Sequence, residues 1–183
     1  MNSIRIPISA FLFIPIIRRT LGGNRFEVCP LALIYLVRHG DALPATEHPD
    51  RPLSSAGRDA VEQIARLAKE RNVGIAAIHH SGILRARQTA EILGKHLAPP
   101  LGVAQRSGLL PEDDPAIVKA QLDSDESSVM LVGHLPYMNR LAGLLVAADP
   151  NRVVAAFSPA TIVCCSAGAG QWKIVWKLTP AQD

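Results

Sequence analysis

Two histidines stand where their neighbours could make them reactive. His39 lies in Arg38-His39-Gly40, directly after the apolar run Leu33 to Val37, and His134 lies in Gly133-His134-Leu135-Pro136, directly after Val129 to Val132. A guanidinium is a permanently charged fork that matches phosphate oxygens. A neutral imidazole is a competent nucleophile near neutral pH if its other nitrogen is pinned by a hydrogen bond. Glycine lets backbone approach closely, and Pro136 suits the first turn of a helix whose free amides could face an anion. Taken singly, His39 reads equally well as a polar residue in a strand-to-helix turn, and His134 as a helix-opening residue without a ligand. The same arrangement at two strand ends favours one shared site.

A third cation falls between them, in Leu84-Arg85-Ala86-Arg87-Gln88-Thr89-Ala90. Residues two apart on a helix point about 200° apart, so only one of Arg85 and Arg87 faces the site and the other is solvated. Spacing alone leaves open which.

These residues need strands and helices to hold them, and the chain supplies an alternation of both, the mark of an α/β domain with a mostly parallel sheet. Leu33 to Val37 is nearly all apolar and reads as a strand buried on both faces, hence central. Ser54 or Ser55 can cap a helix carrying Ala60, Val61, Ile64, Leu67 and Ala68, ending near Asn72 to Gly74. Gly74 to His79 is a second strand. Ser81 then reads as the cap of a helix carrying Leu84, Ala90, Leu93 and Leu97, which Pro99-Pro100 cannot continue. A short helix to Leu122, the strand Val129 to Val132 and a helix from about Pro136 to Ala147 follow. Two late runs, Ala160 to Cys165 and Trp172 to Leu178, read as a hairpin added at a sheet edge. Ligands bind at the C-terminal ends of parallel strands, which is where both histidines fall.

Composition narrows the classes. At 183 residues and 48% hydrophobic content the chain suits one compact domain. Its formal charge of +3 comes wholly from Arg5, Arg18, Arg19 and Arg25 against Glu27, so residues 31–183 are neutral and no nucleic acid or anionic membrane partner is indicated. Three cysteines give no disulfide framework, since Cys29 is alone and Cys164 and Cys165 would point to opposite faces of a strand; a reducing cytoplasm fits. Residues 1–30 form a leader, read as disordered or loosely docked. Ile4 to Ile17 is apolar but interrupted by Pro7 and Pro15, too short to span a bilayer, and stable membrane insertion is not expected. A membrane-associating segment or a cleaved signal are the alternatives.

The sequence resembles the histidine phosphatase, or phosphoglycerate mutase-like, superfamily from about Leu33 to Leu178. Arg38-His39-Gly40 and Gly133-His134 are similar to its two hallmark histidine motifs. Leu53-Ser54-Ser55-Ala56-Gly57 resembles its Leu-Ser/Thr-x-x-Gly motif, and Arg85-Ala86-Arg87-Gln88-Thr89 its Arg-x-x-Gln-Thr helix. Arg38-His39-Gly40-Asp41-Ala42, the short connection to Arg51-Pro52-Leu53 and Gly133-His134-Leu135-Pro136 look most like the SixA-type phosphohistidine phosphatases. The resemblance implies a three-layer α/β/α sandwich. It also implies His39 as the phospho-acceptor, Arg38, Arg85 and His134 as the phosphate pocket, and Arg51 as a further phosphate-binding candidate. Gly82 departs from the proline common in the family, a change expected to loosen that loop.

The implied reaction is hydrolysis of phosphorylated histidine on a protein, such as a phosphotransfer domain, through a phosphohistidine on the enzyme. No cofactor is needed, and the six histidines show no metal-ligand spacing. Larger members of the superfamily place a carboxylate over the leaving group. Glu112, Asp113 and Asp114 are the candidates for such a general acid, or are solvated loop charges. A phosphomonoesterase acting on a small metabolite and a silent module that binds phosphorylated protein are the alternative functions.

Overall fold

The computed structural model describes residues 16–17, 28–29, 32–168 and 171–181. Ahead of the main domain, β1 (Ile16–Ile17) pairs antiparallel with β2 (Val28–Cys29). The rest of the leader, with its expected looseness, lies outside the described residues.

The domain from Ala32 runs β3 (Leu33–Arg38), α1 (Ser55–Glu70), β4 (Ala77–His80), α2 (Leu84–Leu97), β5 (Val103–Gln105), α3 (Pro115–Ser124), β6 (Val129–Gly133), α4 (Tyr137–Ala147), β7 (Ile162–Gly168) and β8 (Gln171–Leu178). The sheet order is β5-β4-β6-β3-β7-β8. The pairs β5/β4, β4/β6 and β6/β3 are parallel, whereas β7 and β8 are an antiparallel hairpin on one edge. The loop residues 169 and 170 within that hairpin lie outside the described residues.

Alternation along β3 explains why the sheet is covered on both sides. Tyr35 and Val37 pack with Val61, Ile64 and Leu93 of α1 and α2. Ile34 and Leu36 pack with Val118, Leu141 and Leu145 of α3 and α4. Three layers result, because a strand fully enclosed by others can bury alternate side chains only against helices on each face. Cys164 and Cys165 divide between the same two clusters, and both are buried free thiols.

Boundaries follow local chemistry. Ser54 caps α1, its hydroxyl accepting from Gly57 N–H at 2.9 Å. The C-terminal end of α2 turns at Ala98 in the left-handed region before Pro99. Two expectations need correction. Ser81 does not cap α2, which begins at Leu84 after an Ile83 that makes no side-chain cap bond. The strand β5, only three residues long with one half-buried side chain, carries no periodicity and was not expected.

Among the described residues no helix is long and apolar enough to cross a membrane.

Candidate active site

The C-terminal ends of β3, β4 and β6 lie side by side, and each delivers part of one cluster. At β3, His39 N–H donates to Gly133 O (3.0 Å), which ties the turn after β3 to the end of β6. That turn is tight because Gly40 sits against α1: a Cβ there would lie 2.7 Å from Val61 Cγ2 and 2.8 Å from Gly57 O. A Cβ on Gly57 would in turn strike the Asp41 carbonyl. The two glycines of the Arg-His-Gly and Leu-Ser-x-x-Gly motifs are therefore two sides of one close approach.

Helix α2, packed beside α1 on the same face of the sheet, supplies another wall. Arg85 Nε donates to His39 Nε2 (3.1 Å). Thr89 Oγ1 accepts from Gly40 N–H (3.1 Å) and donates to Arg85 O (2.7 Å), and Gln88 Oε1 accepts from Leu53 N–H (2.8 Å). The Arg-x-x-Gln-Thr spacing thus puts one side chain on the histidine, one on the Gly40 turn that follows it and one on the backbone at Leu53 just ahead of α1. Arg87 is turned away, more than half exposed and 3.7 Å from Glu91.

His39 Nδ1 lies 2.6 Å from Gly40 O. Only a protonated Nδ1 can donate there, so Nε2 carries the lone pair of the neutral ring. Burial pushes the His39 pKa down to about 4; the Gly40 carbonyl opposes this, and the charges of Arg85, Arg38 and Arg51 add to it. His134 is 1% exposed, and its ring centre is 4.9 Å from that of His39. Burial, then His39 and Arg85, push its pKa down to about 3. Both rings are neutral at pH 7.

Arg38 Nη1 donates to Phe157 O (2.8 Å), a carbonyl in the loop before β7. That loop also receives support from the site, since Ala160 N–H donates to His39 O (3.2 Å) with Ala160 at φ 59°. Arg51 is exposed, at φ 48°, with Nε donating to Leu43 O (3.2 Å); its charge is felt by both His39 and Arg85. Two buried donors or acceptors in the cluster, Arg38 Nε and His134 Nδ1, have no hydrogen-bond partner among the described residues.

The carboxylate candidates sit differently. Asp113 Oδ2 accepts from Leu110 N–H (2.8 Å), and Asp114 Oδ1 accepts from Ala116 N–H (2.9 Å) as the cap of α3. Glu112 is exposed. Asp113 and Asp114 act electrostatically on Tyr137, while the charges that act on His39 are those of Arg85, Arg38 and Arg51, and those that act on His134 come from His39 and Arg85. Among the described residues no group of three His, Cys, Asp or Glu side chains could hold a metal ion.

Ser81 was missed as a site residue because a serine ahead of a helical pattern reads as a cap. Its hydroxyl is 2.7 Å from His134 Nε2, and both residues are buried. Thr161 and the Phe157 carbonyl had no sequence signal, since Arg38 uses backbone oxygens there: its own N–H donates to Thr161 O (3.2 Å). Gly82 has φ 90°, which proline cannot adopt, and its N–H donates to His80 Nδ1 (3.0 Å). The departure at Gly82 thus brings a different, hydrogen-bonded turn.

A sequence model of the histidine phosphatase superfamily (branch 1) matches residues 34–109. The chain belongs to that superfamily, is a phosphatase of it, and has its phosphoglycerate mutase-like fold. Within it, the chain is similar to the phosphohistidine phosphatase SixA of Escherichia coli, at 29% identity over 152 residues, 80% of this chain and 93% of that protein. The structure of the protein histidine phosphatase SixA complexed with tungstate superposes with a TM-score of 0.71 and 29% identity, over 81% of this chain and 97% of that one. A mycobacterial glucosyl-3-phosphoglycerate phosphatase shares the fold at a TM-score of 0.63 and 15% identity, over 79% of this chain and 97% of that one.

Proposed function

We propose that this chain hydrolyses phosphohistidine on a protein through a phosphohistidine formed at His39. The observation that carries the reading is the neutral His39 ring, with Nδ1 pinned to Gly40 O and Nε2 turned toward Arg85, beside buried polar atoms of Arg38 and His134 that lack partners among the described residues. Buried polar atoms without partners ask for an explanation, and a tetrahedral oxyanion is one that suits a guanidinium beside an imidazole. The similarity to SixA supports the substrate class.

In the first step His39 Nε2 attacks phosphorus, the P–N bond to the substrate imidazole breaks, and that imidazole leaves with the bonding electron pair and takes a proton from solvent water. Water then attacks the phosphorus on His39, the second P–N bond breaks, and inorganic phosphate departs. Arg85 begins on Nε2, so it must pass its hydrogen bonds to the phosphoryl oxygens as the nucleophile is released. Arg38, held at Nη1 by Phe157 O, and His134 supply the remaining donors, and Arg51 adds charge at the rim. Positioned charge of this kind does most of the work in phosphoryl transfer. No step uses a metal, and turnover is expected to be unchanged after exhaustive chelation, as measured by phosphate release.

An imidazole leaving group needs less proton donation than an alkoxide. That suits a site where Asp113 and Asp114 are occupied with their own loop and helix cap. The deciding experiment compares turnover of a phosphorylated histidine protein with that of a panel of small phosphoesters. Faster turnover of a small ester would move the assignment to a metabolite phosphatase, and no turnover even of an aryl phosphate would leave a binding module. The buried free thiols support assignment to the reducing cytoplasm.

A further inference from the structure

The geometry points to Ser81 as a positioning residue that sets which nitrogen of His134 carries the proton. The inference rests on the phosphoryl-transfer reading of the site. Ser81 Oγ lies 2.7 Å from His134 Nε2, and the two residues are 6% and 1% exposed. The same oxygen accepts from Ile83 N–H at 3.4 Å. With that lone pair engaged, the hydroxyl hydrogen needs an acceptor, and His134 Nε2 is the neighbour that can provide one. Ser81 then donates to Nε2, and the single proton of the neutral ring sits on Nδ1.

Nδ1 is the atom of His134 that is buried with no partner among the described residues. In this tautomer it is a hydrogen-bond donor, in a ring whose centre lies 4.9 Å from that of His39, and its assigned partner is a phosphoryl oxygen. The opposite tautomer would present a lone pair to an anionic oxygen and leave the Ser81 hydrogen without an acceptor at a buried site, so both groups would be worse off. Burial keeps the ring singly protonated, and the serine decides on which side. A hydroxyl can thus convert a neutral imidazole into a directed donor without any charge being placed in the pocket.

The test uses the full-length chain with 15N-labelled histidine, the His134 signals being assigned through His134→Gln. Expected at pH 7 is a neutral wild-type His134 protonated at Nδ1, a mixture of tautomers in Ser81→Ala, and return of the Nδ1–H form in Ser81→Thr. Turnover of phosphohistidine protein by Ser81→Ala should fall about tenfold or more, mainly in kcat, the scale seen when the partner that orients a functional imidazole is lost. Restoration by Ser81→Thr would support the hydroxyl as the cause. A wild-type His134 protonated at Nε2, or an unchanged kcat in Ser81→Ala, would overturn the assignment. If the variants do not fold, the wild-type tautomer still decides. Absence of wild-type turnover on any phosphorylated histidine would sink the functional reading, whereas the tautomer reports on Ser81 independently of it.

Discussion

The strand-end pocket and the loop at residues 112–114 are both rich in ionisable groups, yet they are built in opposite ways. Arg38, His39 and His134 each hydrogen-bond a distant part of the chain, Arg38 to Phe157, His39 to Arg85 and His134 to Ser81, with His39 also pinned by the adjacent Gly40 carbonyl. Asp113 and Asp114 instead accept from N–H groups two or three residues away. Long-range contacts fix a side chain in relation to other elements, which a shared site requires; the short-range contacts of Asp113 and Asp114 shape a turn and a helix cap. The difference favours the arginines and histidines over the carboxylates as the groups of the proposed mechanism.

The sharpest way to break that contrast is at His39. His39→Ala should reduce turnover to background while circular dichroism stays unchanged, and labelled substrate should leave acid-labile phosphate on wild type and none on the variant. Substantial turnover in the variant would remove the covalent route. Next in size is the pair of arginines on α2. Arg85→Ala is expected to lower kcat by about 10² or more, in line with loss of a transition-state donor, and Arg87→Ala by less than about twofold, as for an exposed ion pair. Equal losses would show that the helix face, not the contact with His39, matters.

Acid gives an intermediate effect. His39 ordinarily titrates near 6.5 and is pushed down to about 4, so the neutral nucleophile persists well below pH 6.5, and the acid limb of phosphoenzyme formation should fall nearer pH 4. Between those values the unfolded chain binds a proton that the folded chain does not, so folding stability decreases as pH drops through that window. Single-turnover rates against pH, alongside denaturant titrations, would check both. The smallest effects belong to the carboxylates. Glu112→Gln, Asp113→Asn and Asp114→Asn should each lower phosphohistidine turnover by less than about tenfold, whereas a positioned general acid is worth about 10² to 10⁴. A hundredfold loss from any one of them in a folded protein would erase the contrast between pocket and loop.

What could be seen in the sequence followed from how far each signal reaches along the chain. The apolar run Leu33 to Val37 and the helical spacing of Val61, Ile64 and Ala68 act within a few residues, and the sheet, its two layers of helices and the edge hairpin were legible from such patterns. The pairing of His39 with His134, and of Arg38 beside it, followed from their positions after strands, whereas Arg85 was separated from Arg87 only by the family resemblance. Ser81 was not legible because its bond is to a residue 53 positions away, and nothing local separates a serine that caps from one that holds a histidine. Phe157 was hidden for another reason: it contributes a carbonyl, which every residue has. The strand β5 was too short for alternation to show.

The Thr89 hydroxyl, shared between Gly40 N–H and the Arg85 carbonyl, has a consequence for how the pocket could be watched in solution. The Gly40 amide is buried and can trade its proton for deuterium only when α2 draws away from the turn after β3. Its exchange rate therefore reads the local opening of the pocket separately from unfolding of the sheet beneath it. A Gly40 amide that exchanges faster than those of β6, and slows when an oxyanion is added, would mark the pocket as a locally opening unit that its ligand closes.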